Sequence, residues 1–291
     1  MKSLQTTHIL GLSALILLTH GASAALSVSS QTASGATATD FANSLTGAGS
    51  GITIQTATGP ADSNTIGTFT GGTSAGLPFN TGVVLSSGNV VDAVGPNSLG
   101  DTTTNTSNPN TGGANDVASL LLEFIPTNDV VSFQYVFGSE EYNEFVNSQF
   151  NDRFQLLLNG VNIALIPGGG GPVTVNNVNN GSNASYFTDN TSGLLNIEYD
   201  GLVGANSGFP LSAQGTVIPG ALNTLEFIVG DVSDSILDSA VFIAGGSFFD
   251  ENPDDNPGIS PVPEPSFYIG CSLLLGFAGA RLRRKAIQRQ S

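Results

Sequence analysis

VASLLLEFIPTNDVVSFQYVFG, residues 117–138, reads as two strands, Val117–Pro126 and Asp129–Gly138, joined by a tight turn at Thr127-Asn128. Phe133, Tyr135 and Phe137 alternate in the second strand, so an extended backbone sends all three rings to one face, where they form core. The same signature recurs on both sides. GITIQTATG (51–59) sets Ile52 and Ile54 between polar partners, and Ile66–Gly72 and Thr81–Val90 read as further strands. Downstream, Leu194–Tyr199 is a short strand, and Asn223–Phe249 gives a strand, an acidic loop and a closing strand. One helix is expected within 36–49, with Asp40 as N-cap before Phe41 and Leu45. Many short strands, turns of Gly, Asn and Pro, and no long helical period give an all-β chain. The expected architecture is a single β-sandwich or jelly-roll-like domain with Gly/Asn-rich loops.

The hairpin runs directly into FGSEEYNEFVNSQFNDRFQLLLNG (137–160), which holds Glu140, Glu141, Glu144, Asp152 and Arg153 among aromatic residues. A second acidic stretch, GDVSDSILDSA (230–240), holds Asp231, Asp234 and Asp238. Both follow strands, so both are expected at sheet ends. Crowded carboxylates without cationic partners repel one another, and a divalent ion relieves that repulsion. Calcium takes six to eight oxygens from carboxylates, amide side chains, carbonyls and water, and extracellular modules bind it at roughly 10⁻⁴–10⁻³ M. The expected ligands are Glu140, Glu141, Asp152, Asp231 and Asp234, although the spacing is not that of an EF-hand. A purely structural reading competes: Glu140 or Asp152 pairs with Arg153 or caps backbone N–H groups, and the later aspartates make Asx-turns. A glycosidase using two carboxylates is the alternative function. Against it stand the absence of Trp and the presence of only five Tyr, where sugar platforms usually need large aromatic faces.

Composition narrows the field further. Residues 25–265 contain all 23 acids and one arginine, a formal charge of −22. His8, His20 and Cys271 fall outside this body, which also lacks Lys and Trp. Disulfides, the usual zinc, haem and copper ligands, and His-dependent nucleophilic triads are thereby excluded from it. Nucleic acid would meet like charge with no basic patch to release counterions. The polar stretch Asn97–Asn115 is expected to be a mobile surface loop. The run Gly168–Gly171 is a turn between strands, because no Gly-Lys-Ser/Thr ending or Rossmann unit accompanies it.

The two ends carry addresses. Lys2, the apolar run Ile9–Leu18 and Ala22-Ser23-Ala24 read as a secretory signal over residues 1–24. At the other end an acidic Pro-rich linker (250–265) precedes a short apolar helix (266–280) and the basic end RLRRKAIQR, within a tail of 266–291. The helix is short for the roughly 20 residues that a membrane span needs. The order of Pro263-Glu264-Pro265, apolar helix and Arg-rich end resembles the PEP-CTERM sorting signal of Gram-negative bacteria. That resemblance implies an exosortase-type partner, transient membrane attachment, and a final place at the cell surface or in an exopolysaccharide or biofilm matrix.

The body carries a resemblance of its own. LPFNTGVVLSSGNV, YVFGSEEYNEFV, FNDRFQLLLNG, NIALIPG and FIVGDVSDSILDSAVFI, in this order, are similar to the choice-of-anchor L family, from about Asp40 to Phe249 within a domain of 25–249. The resemblance implies a secreted bacterial domain that occurs with different anchoring signals. It implies cell-surface placement and no catalytic residues.

Overall fold

The computed structural model describes residues 25–99, 102–205 and 211–250. The secretory signal, the Pro263-Glu264-Pro265 motif, the apolar helix and the basic end lie outside the described residues. The strands are β1 (Ser27–Ser30), β2 (Ile52–Thr58), β3 (Ile66–Thr70), β4 (Gly82–Ser86), β5 (Ala114–Pro126), β6 (Val130–Ser139), β7 (Arg153–Leu158) and β8 (Val161–Asn162). They continue with β9 (Leu165–Ile166), β10 (Gly171–Pro172), β11 (Phe187–Asp189), β12 (Gly201–Val203), β13 (Leu211–Thr216), β14 (Asn223–Val232) and β15 (Ser239–Ala244).

Apart from β9 and β10, which pair with each other as a two-stranded sheet, these strands build two facing antiparallel sheets, so the all-β sandwich expected from the sequence is what forms. The larger has the order β1-β3-β4-β15-β6-β12-β11, with β13 also on β6; the smaller has the order β2-β5-β14-β7-β8. The two halves of the opening hairpin part company, β5 going to the smaller sheet and β6 to the larger. Between the sheets, Val131, Phe133, Tyr135 and Phe137 of β6 meet Leu120, Leu122 and Phe124 of β5, Phe154 and Leu156 of β7, and Phe227 of β14. The Phe133 and Phe227 rings meet edge to face across the gap at 5.4 Å. A second core lies on the far face of the larger sheet, where Val84, Val136 and Phe242 are covered by Leu77, Val90, Ile197 and Tyr199.

Local chemistry corrects three details of the sequence reading. The helix spans Ala38–Leu45 and buries Phe41, Ala42 and Leu45, but its N-cap is Thr37. Asp40 is the third helical residue; its Oδ2 accepts the Thr37 N–H (2.8 Å) while its own N–H donates to Thr37 Oγ1 (3.2 Å), the reciprocal arrangement of a capping box. Leu194–Tyr199 is no strand. The buried Asn190 side chain donates to the Ile197 and Tyr199 carbonyls (both 2.9 Å) and accepts from the Leu195 N–H (2.6 Å), which takes the place of a ladder.

The third correction concerns Asn97–Asn115, which is held down where it is described. Leu99 N–H donates to Glu198 Oε1 (2.7 Å), Thr104 N–H to Asp238 Oδ1 (3.0 Å), the Thr104 hydroxyl to Asp92 Oδ2 (2.7 Å) and Asn108 Nδ2 to Thr65 Oγ1 (3.1 Å). Low-complexity Thr/Asn sequence here supplies donors to carboxylates. It forms a strap across one end of the sandwich.

Asp250, the last described residue, is 1 % exposed. Its Oδ2 accepts the N–H groups of Thr127 (2.7 Å) and Asn128 (2.8 Å), capping the β5–β6 turn. Asp250→Ala is expected to cost about 2 kcal/mol, as the loss of a well-made cap does. Urea unfolding checks it: the midpoint should fall with an unchanged slope.

Candidate functional site

Inward-facing positions of five strands change character at one end of the sandwich. On the larger sheet, Val83 and Leu85 of β4 lead to Ser87, Phe137 of β6 to Ser139, and Val241 of β15 back to Ser239. On the smaller sheet, Phe154 of β7 leads back to Asp152, and Phe227 and Val229 of β14 lead to Asp231. The period of two that builds the apolar core therefore ends it with a layer of serines facing aspartates. β5 carries one extra residue opposite β14 here, near Asp116, whose φ is +45°. Such a bulge re-aims a strand at a sheet end.

Within this layer, Asp152 is fully buried. Its Oδ1 accepts the Val232 N–H and its Oδ2 the Ser239 hydroxyl, both at 2.7 Å. Asp231 stands beside Asp152 and Ser87, and its Oδ1 is buried with no hydrogen-bond partner. Glu141, 1 % exposed, follows Ser139, whose hydroxyl accepts the Glu141 N–H (3.0 Å); its Oε2 is likewise buried without a partner. Burial pushes Asp152 up to about 7 against the Val232 and Ser239 hydrogen bonds, and pushes Glu141 up to about 8 with help from the charges of Asp152 and Asp234. Asp231 is raised well above the ordinary range, by burial first and the Asp152 charge second. Asp152 and Asp231 thus behave as one buried pair that cannot ionise twice without compensation.

The five expected ligands do not form one group. Glu141, Asp152 and Asp231 meet in the layer, while Asp234 lies half-buried at its rim and accepts the Ile236 N–H (3.4 Å) in an Asx-type turn. Glu140, adjacent to Glu141 in sequence, looks the other way, toward Asp200, Glu198 and then Asp238. Glu144 is exposed. Arg153 gives its Nη2 to the Gly112 carbonyl (2.7 Å). Serine was the element that sequence reading missed. Ser87, Ser139 and Ser239 continue the inward alternation of their strands, and that parity was the available signal.

Among the described residues, no three or more of Asp, Glu, His and Cys are gathered tightly enough to hold a metal ion by themselves. A hard cation in this layer would bind two carboxylates and complete its shell with carbonyls, hydroxyls and water, the mixed set that calcium accepts. The orphaned oxygens of Glu141 and Asp231 fit that role. Glycoside hydrolysis instead needs two carboxyls flanking the scissile bond of a bound sugar. Enclosure between the sheets denies Glu141, Asp152 and Asp231 that position.

The family model of the choice-of-anchor L domain matches residues 28–249. The chain belongs to the choice-of-anchor L family. The match runs from β1 past the end of β15, so the layer of Ser and Asp lies wholly inside the family domain. Membership places the chain with surface-associated proteins. No curated protein matches it.

Proposed function

We propose that this choice-of-anchor L chain is an exported protein of the cell surface or matrix that binds without catalysis, its acidic sheet end closed by calcium or a similar hard cation. One observation carries the cation: the Asp231 Oδ1 and Glu141 Oε2 atoms are buried without partners beside the fully buried Asp152. A calcium ion would take the orphaned Asp231 and Glu141 oxygens, with Asp152 and Asp234 near enough to add charge. It would replace the protons that otherwise keep these groups neutral. Calcium titration tests the reading. Asp231→Asn should weaken binding at least tenfold, and unchanged affinity would rule this layer out as the site.

Attachment is assigned to the tail. Pro263, Glu264 and Pro265 would be the motif read by an exosortase-type enzyme in a Gram-negative envelope, and residues 266–280 the membrane segment used before processing. The setting of such tails supports matrix exopolysaccharide as the outer partner. Removal of residues 263–291 should shift the protein from the cell-surface and matrix fraction into the medium. Equal matrix retention of full-length and truncated chains would refute the assignment.

A further inference from the structure

Glu140 and Glu141 are neighbours in sequence but serve different surroundings. Glu141 shares the layer with Asp152 and Asp231. Glu140, 3 % exposed, has Asp200 and Glu198 as its foremost charged neighbours and Asp238 behind them. Its Oε1 is buried with no partner. Asp238 repeats the feature: Oδ1 accepts the Thr104 N–H, whereas Oδ2 is buried with no partner and packs against Gly88. The strap covers this group. Ser98 and Leu99 N–H groups reach Glu198 Oε1, the Asn97 side chain reaches Asp200 Oδ1 (2.7 Å), and the Thr102 carbonyl accepts the Asp238 N–H (3.0 Å). Arg153 is the sole basic side chain among the described residues, and it is engaged at Gly112 beyond this group.

Glu140 and Asp238 are neighbours across β6 and β15, where the Glu140 N–H reaches the Asp238 carbonyl (3.2 Å), and each keeps an orphaned buried oxygen, with Glu198 and Asp200 adding negative charge under the strap. We propose that Glu140 and Asp238, with Glu198 and Asp200 beside them, form a second hard-cation site of the calcium class, beneath residues 97–99 and 102–104 and next to the Asp152–Asp231 layer. It stands on its own orphaned atoms, and the charge of Asp238 also reaches Asp231 in the first layer. As in that layer, the carboxylates do not enclose an ion by themselves, and strap carbonyls and water would complete its shell. Oxygen-only donors and anionic charge suit a hard divalent ion over a soft one. Burial, then the charges of Asp200 and Glu198, raises Glu140 to about 9, so a proton is the competing occupant.

The chain contains no Trp, so tyrosine is the sensitiser for bound terbium, and each site has its own. Tyr199 feels the charges of Asp238 and Glu140, and Tyr142 that of Asp152. Equilibrium dialysis of the full chain against calcium should give two bound equivalents, falling to one in Glu140→Gln/Asp238→Asn and to one in Asp231→Asn. Terbium emission excited through tyrosine should lose one component in Tyr199→Phe and the other in Tyr142→Phe. Tyr199→Phe keeps every carboxylate and gives up a single hydroxyl contact, to Ser86 Oγ at 3.3 Å. It therefore reads the second site even if the double variant fails to fold, and unchanged emission there overturns the proposal. One wild-type equivalent that vanishes in Asp231→Asn leaves only the first site and also overturns it. One equivalent that survives Asp231→Asn but vanishes in the double variant supports the second site and removes the first. No bound calcium removes both.

Discussion

In excess EDTA, the melting temperature of this protein should fall by on the order of 10 °C between pH 5 and pH 9, and millimolar calcium should restore most of the loss. The direction follows from linkage. Burial, reinforced by neighbouring carboxylates, raises Glu140 to about 9, Glu141 to about 8, and Asp152 and Asp238 to about 7. Unfolded carboxyls titrate near 4, so the folded state binds more protons over this interval. The stability these groups lend is fully present below about pH 4 and is lost as pH rises through about 7–9. A carboxyl that binds its proton tenfold more tightly in the folded state gains about 1.4 kcal/mol, so several such groups together rival the 5–15 kcal/mol that ordinarily holds a domain. At neutral pH and above, the acidic end must therefore keep its protons or take a cation. A calcium-bound protein has already exchanged its protons, so its melting curve should be nearly flat over the same range. Scanning calorimetry at four pH values, with EDTA and with calcium, gives the answer. Curves that coincide in the two media would show that protons alone satisfy these groups.

Phe248→Ala should destabilise the domain by about 3–5 kcal/mol, the range for deleting a buried aromatic ring. Phe248 is fully buried; it stacks on Phe133 at 4.2 Å and meets Phe124 edge-on at 5.0 Å, so one ring joins β5 and β6 after they have entered different sheets. The cavity would open in the middle of the inter-sheet core, where neighbours from both sheets are already committed. Truncation after Asp250 should leave stability near that of the full chain, whereas truncation after Gly246 should exceed the Phe248→Ala loss, because the Asp250 cap goes with the ring. Urea titrations of the three proteins decide it. A loss below about 1 kcal/mol for Phe248→Ala would mean that the core closes over the vacancy.

Much of this was legible in the chain because the sandwich rests on short-range alternation. Phe133-Tyr135-Phe137 declared an inward face, and Thr127-Asn128 declared a turn. What stayed hidden was set by side chains acting over long sequence distances. Asn190 organises Ile197 and Tyr199 through its amide, which no hydrophobic period reveals. The strap looked mobile because it has no apolar pattern, yet its donors find Glu198, Asp238 and Asp92, partners visible only after folding. The two acidic stretches do lie at one sheet end: β15 pairs with β6 with Ser239 opposite Ser139, and Glu140 N–H reaches the Asp238 carbonyl (3.2 Å). Their division into two groups was not legible. It depends on consecutive residues, Glu140 and Glu141, facing different neighbours where β6 ends.

The exit of the chain has a mechanical meaning. Phe248 N–H bonds the Leu45 carbonyl, Phe249 bridges to Ser132, and Asp250 N–H bonds the Ser50 carbonyl while its carboxylate grips the Thr127-Asn128 turn. A pull applied at Asp250 meets this clasp before it reaches β15. The load is shared among the helix end, the β5–β6 turn and β6, and a buried ring must be withdrawn before β15 can peel. A domain held by its C-terminal side in flowing water would thus fail first at a short and re-formable fastening, with both sheets still intact.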